Sequence, residues 1–216
     1  MGRLVCVSNR LPGENSSGGL VVALHGALSR SGGVWVGFAG TETETPSDDL
    51  TPLPGADFER MAFDLTPEEY RDYYLGFSNS VLWPIFHGRS DLSDIQRRYL
   101  DGYRTVNAKI ARQLARVLQP DDRIWVQDFH LLPLAAELRQ QGVEAPIGLF
   151  LHIPFPGPAE MSALPNAQEV LDWLASDDAA ETRRRQVVAV VPVAIIRLDK
   201  LAVPVLLFFL FRHKRR

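Results

Sequence analysis

The 216-residue chain is close to neutral, with 23 Lys and Arg against 26 Asp and Glu and a formal net charge of -3. This balance gives no indication of the basic surface that nucleic-acid partners need. The one cysteine, Cys6, lies in an apolar run and cannot form an internal disulfide. It is expected to be a small buried hydrophobe in a protein of the reducing cytoplasm. No charged segment followed by a long apolar one opens the chain, so no secretory signal is predicted.

Residues 3–8 are predicted to form a first strand that opens into a loop rich in Gly, Ser and Asn. Gly18 and Gly19 end this loop, directly before a predicted helix at 20–28. Backbone N–H groups at such a junction can approach a phosphate or a sugar hydroxyl, and the helix dipole favours an anion there. A Gly-Gly pair before a helix is also common in plain turns, so both interpretations stay open.

Two further strands are predicted at 34–38 and 58–63, separated by a polar, acidic segment at 41–54 that we assign to a surface loop. A helix follows, because Thr66 is a favourable N-cap and Pro67 suits the first helical position. This helix carries three tyrosines at 70, 73 and 74. The stretch 77–84 is interpreted as an unusually aromatic connection.

Apolar residues recur every three or four positions across 91–118, which predicts a helix with one face in the core. The other side of this helix carries arginines. They are Arg97, Arg98, Arg104 and Arg112. We interpret them as a solvated face rather than a phosphate clamp.

The segment 121–158 contains the strongest local pattern, which is strand, helix, strand. Short apolar runs at 124–126 and 147–151 are typical of a parallel sheet buried on both faces, and helical spacing between them ends at Gly142, a favourable C-cap. A right-handed crossover is expected. Asp128 and His152 close the two strands, so their side chains should emerge at the carboxyl edge of the sheet, where open α/β sheets bind ligands.

These elements predict an α/β fold with a Rossmann-like parallel sheet flanked by helices, spanning residues 1–175. The tail 176–216 differs, with two apolar runs of ten or eleven residues interrupted by charges. Each run is shorter than the roughly 20 residues that span a bilayer, and the charged break disfavours insertion as one segment. A membrane anchor is therefore not favoured.

Six blocks of sequence resemble the trehalose-6-phosphate synthase family, in the order in which that family has them. They are VSNRLP at 7–12, GGL at 18–20, YYLGFSNSVLWPIFH at 73–87, DGYRTVN at 101–107, WVQDFHLLPL at 125–134 and GLFLHIPFP at 148–156. The resemblance covers the N-terminal, acceptor-side half of these retaining GT-B glycosyltransferases and stops near residue 175. The unmatched tail would be explained by a shifted reading frame or a truncated gene, or by a divergent ending.

The resemblance implies transfer of glucose from a nucleotide-glucose, usually UDP-glucose, to glucose 6-phosphate with retention of configuration. It implies no cofactor and no metal, and full-length members of the family can form homo-oligomers. Retention in this family is expected by front-face attack, without the paired carboxylates of retaining glycosidases. The 216-residue chain alone is expected to transfer glucose weakly or not at all. The alternatives are a sugar-phosphate-binding remnant, a regulatory partner without turnover, or a membrane-tethered fragment.

The resemblance also assigns roles to individual residues. Arg10 and Tyr74 resemble the residues that hold the phosphate of glucose 6-phosphate. Trp83 and Asp128 resemble contacts to the acceptor sugar, and Trp35 is expected to line the same pocket. Gly18 and Gly19 resemble the donor loop, and His152 resembles the residue beside the donor glucose, so that His152 and Asp128 are the expected catalytic pair. Without the resemblance, the two tryptophans would be interpreted as core aromatics and His152 as a strand-end histidine bonded to a loop carbonyl.

Overall fold

The computed structural model describes residues 2–13, 19–153, 155–176 and 178. Within them lies one six-stranded sheet with the order β3-β4-β2-β1-β5-β6. The strands are β1 (Leu4–Arg10), β2 (Gly33–Phe38), β3 (Thr51–Leu53), β4 (Glu59–Phe63), β5 (Arg123–Gln127) and β6 (Ile147–Phe150). All neighbours pair in parallel except β3 and β4. The predicted α/β class with a largely parallel sheet is confirmed.

The antiparallel edge strand β3 corrects the interpretation of 41–54 as a loop throughout. Thr51 pairs with Ala62 and Leu53 with Arg60 on β4. The strand is only three residues long and contains Pro52, which is tolerated at a sheet edge because the missing N–H there faces away from the ladder. Its alternation was too short to stand out from the surrounding polar sequence.

Helices cover both faces of the sheet. They are α1 (Gly19–Ser31), α2 (Pro67–Glu69), a π-helix (Tyr70–Leu82), α3 (Trp83–Phe86), α4 (Arg97–Ala115), α5 (Leu134–Gln140), α6 (Pro158–Met161) and α7 (Ala167–Ala175), with single 3-10 turns at Ser90–Leu92 and Phe129–Leu131. The predicted start of α2 is confirmed, because Thr66 and Glu69 form a reciprocal capping box. Gly142 follows α5 at φ 78°, as its predicted capping role requires.

The prediction of a connection at 77–84 is wrong, since α2 continues without a break into the π-helix and α3. The wider turn is held partly by side chains, with Ser78 Oγ donating to Tyr73 O at 2.8 Å and Ser80 Oγ donating to Leu75 O at 2.6 Å. Long π-helices are rare and are frequently found at functional sites. This one carries the three tyrosines toward the carboxyl edge of the sheet.

The long helix α4 begins at Arg97 rather than at residue 91. The preceding residues form a 3-10 turn, and the Asp94 N–H bonds to Ser80 O at 2.9 Å, which ties this segment to the π-helix. Tyr103 lies at the middle of α4 and is fully buried. Its hydroxyl donates to Phe129 O at 2.6 Å and accepts from the Leu132 N–H at 3.2 Å, so the helix fixes the loop that follows β5.

The core has two parts, one on each face of the sheet. The larger part packs the π-helix and α4 to α7 against one face, and the smaller part places α1 against the other face, around Cys6 and Trp35. Burial raises the pKa of the Cys6 thiol far above its usual value, which confirms its role as a small hydrophobe. No helix among the described residues is long and apolar enough to cross a bilayer. The tail beyond Asp178 lies outside the described residues.

Arg3 ties the amino ends of the central strands together. Its guanidinium contacts both carboxylate oxygens of Asp122, at 3.1 and 2.9 Å, and donates to Val117 O at 3.0 Å. The carboxylate of Asp122 also accepts the Gln119 N–H at 2.8 Å. Burial alone would raise the pKa of Asp122, but the hydrogen bonds from Arg3 and Gln119 outweigh it and lower this pKa below its usual value.

We predict that Arg3→Met lowers the free energy of unfolding at pH 7 by about 1–3 kcal/mol, because it leaves a buried carboxylate without its main donor. Arg97→Met is the control and should change stability by no more than about 0.5 kcal/mol, since its side chain is 94% exposed. Urea unfolding followed by circular dichroism measures both.

The stabilisation from this pair is complete above the ordinary Asp pKa of about 4 and is lost as the pH falls through the lower pKa of folded Asp122. The free energy of unfolding of the Arg3→Met variant and that of the parent protein should therefore become equal as the pH falls. Equal stability of the two proteins at pH 7 would show that the pair does not hold the sheet.

Candidate functional site

The carboxyl ends of β5 and β6 are joined by a contact between Asp128 and His152. The Asp128 N–H donates to Phe150 O at 2.7 Å, which extends the ladder by one residue. The carboxylate then accepts the His152 N–H at 3.2 Å. The two residues predicted from the strand ends therefore meet at one edge of the sheet.

Asp128 has a backbone conformation that L-residues avoid, with φ 71° and ψ 172°. It is the only non-glycine residue with positive φ among the described residues. Such a conformation costs about 1–3 kcal/mol and is frequent at ligand sites. The residue is held in place by the hydrogen bond that its N–H donates to Phe150 O, and by the bonds of the Tyr103 hydroxyl to Phe129 O and to the Leu132 N–H in the turn that follows.

The carboxyl group of Asp128 is largely buried, and burial raises its pKa to about 6. Hydrogen bonds from the N–H groups of His152 and Phe129 oppose this shift, and an electrostatic interaction with His87 opposes it to a smaller extent. At pH 7 the group is therefore ionised, and it is a strong hydrogen-bond acceptor in a site that is poor in water.

The backbone N–H of His152 contacts this carboxylate, and the imidazole is neutral at pH 7, because burial lowers its pKa to about 4. Its Nε2 lies 3.0 Å from Oε1 of Gln127, which is 1% exposed. An amide oxygen only accepts, so Nε2 carries the hydrogen and Nδ1 is left as an acceptor. Gln127 thus fixes the tautomer of His152.

Arg10 ends β1 at the same edge of the sheet and is exposed. Its guanidinium donates one long hydrogen bond, at 3.4 Å, to the carbonyl of Gly40. Gly40 has φ 102°, and a Cβ at this position would lie 2.8 Å from the guanidinium. No carboxylate in the described part of the chain forms an ion pair with Arg10. Its charge is therefore available to an anion.

A row of aromatic rings in contact, some stacked and some tilted, lines the same edge and leads from β2 to the loop after β5. The centroid distances are 5.9 Å for Phe38–Tyr70, 5.0 Å for Tyr70–Tyr74, 5.6 Å for Tyr74–His130 and 4.1 Å for His130–Phe129. The charge of Arg10 acts on Tyr70. Tyr74 therefore lies between two rings: Tyr70, which interacts with Arg10, and His130, which lies two residues after Asp128.

Trp83 and His87 form a second aromatic pair, at the two ends of α3. The indole of Trp83 is 45% exposed, and the imidazole of His87 stacks on it at 4.1 Å with 28° between the planes. An electrostatic interaction with His87 is the smallest of the influences that lower the pKa of the Asp128 carboxyl. The exposed part of the indole offers an apolar face to a ligand.

Trp35, which was predicted from sequence to line the acceptor pocket, does not join this group. Trp35 is 1% exposed and lies in the smaller core, where its indole N–H donates to Ser8 Oγ at 2.8 Å. Its ring is covered, so it supports the end of β1 instead of offering a face to a sugar. Gly18 lies outside the described residues, and Gly19 is the first residue of α1.

Three residues at this edge were not predicted, namely His87, Gln127 and His130. All three lie inside sequence blocks that were matched, next to residues that were predicted. His130 is neutral, because burial lowers its pKa to about 3, and its Nδ1 has no hydrogen-bond partner among the described residues. What marks these residues as part of the site is their position in space relative to Asp128 and Tyr74, and spacing along the sequence does not give that position.

The edge therefore combines a free guanidinium, a phenol, an indole face, an ionised carboxylate and a neutral imidazole. A guanidinium and a phenol suit a phosphate group, whereas an indole and a carboxylate suit the ring and hydroxyls of a sugar. The described residues contain no group of His, Cys, Asp and Glu side chains arranged to hold a metal ion. The arrangement fits a phosphorylated polyol.

Comparison with known proteins gives consistent matches. The model of glycosyltransferase family 20 matches residues 7–180. The trehalose-6-phosphate synthase of Citrobacter koseri is 47% identical over 181 residues, which are 82% of this chain and 38% of that protein. The chain thus spans well under half the length of this curated relative.

Solved structures show the same similarity. An α,α-trehalose-phosphate synthase (UDP-forming) from Burkholderia vietnamiensis is 46% identical with a TM-score of 0.79, and the match covers 82% of this chain and 40% of that one. A synthase of the same description from Burkholderia xenovorans, in complex with glucose 6-phosphate, is 41% identical with a TM-score of 0.76 and coverages of 82% and 39%.

The strain at Asp128 leads to a stability prediction. Asp128→Gly should unfold with a free energy about 1–2 kcal/mol higher than Asp128→Ala, because both lose the carboxylate but only glycine accepts this φ without strain. Urea unfolding of the two variants measures the difference. The same pair of substitutions at Asp121, which is exposed and has no positive φ, should give no advantage to glycine. An Asp128→Ala variant as stable as Asp128→Gly would show that the backbone is unstrained.

Proposed function

Because the chain belongs to glycosyltransferase family 20, we propose that this edge is the acceptor half of a trehalose-6-phosphate synthase site, where glucose 6-phosphate binds. The observation that carries the proposal is the joint position of Arg10, which has no carboxylate partner among the described residues, and the Asp128–His152 pair at one edge of the sheet. The solved relative in complex with glucose 6-phosphate supports the choice of ligand.

The phosphate of the acceptor is bound by Arg10 and Tyr74. A guanidinium offers two parallel N–H donors to phosphate oxygens, and a phenol adds a third donor. Tyr74 is fixed by stacking on Tyr70 and His130, so its hydroxyl is held with little freedom to lose on binding. The phosphate thereby sets the register of the sugar along the edge.

The sugar ring of the acceptor lies against Trp83 and is oriented by Asp128. The indole supplies an apolar face, and the ionised carboxylate accepts from hydroxyl groups. Because the pKa of Asp128 is about 6, the carboxylate accepts well at neutral pH and loses this capacity as it takes up a proton below that pH. Asp128 therefore both selects a polyol and places its reacting hydroxyl.

His152 lies beside Asp128 and faces the donor glucose. As a neutral imidazole whose Nε2–H is bonded to Gln127, it offers Nδ1 as an acceptor for a donor hydroxyl and adds no charge of its own. The protein groups at this edge position the reactants rather than attack them, so catalysis rests on orientation. Gly18 and Gly19 are proposed to approach the donor diphosphate through backbone N–H groups.

The reaction of which this site is half is the transfer of glucose from UDP-glucose to glucose 6-phosphate, which gives α,α-trehalose 6-phosphate and UDP. The UDP-forming description of the solved relative supports this donor. We place the reaction in the cytoplasm, where a single buried thiol is stable. The alternative is a chain that binds sugar phosphate without turnover, as a remnant or a regulator. Release of UDP from UDP-glucose in the presence of glucose 6-phosphate separates the two.

Calorimetry of Arg10→Ala tests the proposal. This variant should lose about 1.5–3 kcal/mol of binding free energy for glucose 6-phosphate, since a hydrogen bond to a charged group is removed, and should bind glucose as before. Arg97→Ala is the control and should change neither affinity, because the side chain lies on the solvated face of α4. Equal losses for glucose and glucose 6-phosphate would show that Arg10 is not a phosphate ligand.

A further inference from the structure

We propose that His87 is a positioning residue for the acceptor sugar, because it holds the indole of Trp83 in the plane that the sugar ring needs. This inference rests on the proposed function, since it assigns a role within the same site. His87 does not touch the sugar in this account. It acts through Trp83, whose indole is 45% exposed and is the proposed apolar contact of the sugar ring.

The backbone and side chain of His87 are both tied to Trp83. As the residue that ends α3, His87 donates its N–H to Trp83 O at 3.2 Å and to Pro84 O at 3.1 Å. The side chain Nδ1 lies 2.7 Å from the same Trp83 oxygen, so Nδ1 carries a hydrogen and donates it. Gly88 follows with φ 70° and ends the helix. The imidazole therefore has one defined orientation.

This orientation places the imidazole flat against the indole of Trp83, at 4.1 Å between centroids and 28° between planes. An aromatic pair of this kind restrains both rings beyond simple burial. Because Trp83 is 45% exposed, part of its ring is not held by the core, and the stack with His87 adds a restraint. One face of the indole is taken by His87, and the exposed remainder is left for a ligand.

His87 also interacts electrostatically with Asp128. This interaction lowers the pKa of the Asp128 carboxyl slightly and so favours the ionised acceptor. One side chain therefore acts on both proposed sugar contacts, the apolar face and the carboxylate. The phosphate contacts at Arg10 and Tyr74 are not among its partners. This separation makes the role of His87 testable.

The alternative is that His87 only caps the end of α3 through its side chain. Two variants distinguish this role from positioning of the Trp83 indole. His87→Phe keeps a ring to stack on Trp83 and loses the hydrogen bond to the Trp83 carbonyl. His87→Gln keeps a donor for that carbonyl and loses the stack. His87→Ala loses both. If His87 positions the indole, Phe resembles the parent protein and Gln resembles Ala in sugar affinity. If His87 only caps the helix, the order is reversed.

The experiment titrates glucose 6-phosphate, glucose and inorganic phosphate into the 216-residue chain and its variants. His87→Ala and His87→Gln should lose roughly 3–10-fold in affinity for both sugars, the loss expected for one aromatic pair, and should bind inorganic phosphate unchanged. In chain labelled with 5-fluorotryptophan, the fluorine resonance of Trp83 should move in both variants and stay in place in His87→Phe. Trp83→Phe assigns that resonance.

Equal sugar affinities for His87→Ala and the parent chain, or a parallel loss for inorganic phosphate, would overturn the inference. An unmoved Trp83 resonance in His87→Ala would overturn it as well, and this measurement needs no ligand. A parent chain that binds none of the three compounds would instead contradict the proposed function, while the Trp83 resonance would still decide whether His87 holds the indole.

Discussion

The site depends on how Asp128 leaves β5. Its N–H adds one bond to the ladder with β6, and its strained backbone then turns the carboxylate back to accept the His152 N–H at 3.2 Å. Tyr103, buried in α4, holds the next turn by two hydrogen bonds. If Asp128 relaxed to an ordinary conformation, its carboxylate would leave His152 and the neighbourhood of His87. The strained backbone of Asp128 therefore determines where its carboxylate lies in the site.

The strand-helix-strand unit around this residue was predicted well from sequence. Apolar runs and Gly142 define β5, α5 and β6, and parallel pairing then brings Asp128 and His152 to one edge without further information. Local patterns suffice where an element is continuous and apolar. They failed for β3, which is too short to show alternation, and for 77–84, which forms the second half of the π-helix and the start of α3.

The π-helix shows why part of the site was beyond sequence analysis. Its i to i+5 bonding depends on packing against α4, where a Cβ on Gly76 would collide with the ring of Tyr99. No residue pattern at 70–82 distinguishes it from a connection or an α-helix. Yet this turn aligns Tyr70 and Tyr74 with His130. The stacked row at the edge therefore follows from tertiary structure.

The same distinction applies to the tryptophans. Trp35 and Trp83 both invite assignment to a sugar site, but β2 turns Trp35 into the core, whereas the end of the π-helix leaves Trp83 exposed. A role for His87 is indicated only by the stacking of its ring on Trp83 and by its effect on the pKa of Asp128, and neither can be predicted from the sequence. The residue type makes both tryptophans candidates for a sugar contact, and their burial decides that only Trp83 can offer its ring to a ligand.

A crystal structure of the chain in complex with glucose 6-phosphate would show whether this edge binds the acceptor. We expect the phosphate within hydrogen-bond distance of the guanidinium of Arg10 and the hydroxyl of Tyr74, with a sugar hydroxyl on Asp128 and the ring against Trp83. A sugar phosphate bound at the amino edge of the sheet, near Arg3, or bound with its phosphate away from Arg10, would contradict this expectation.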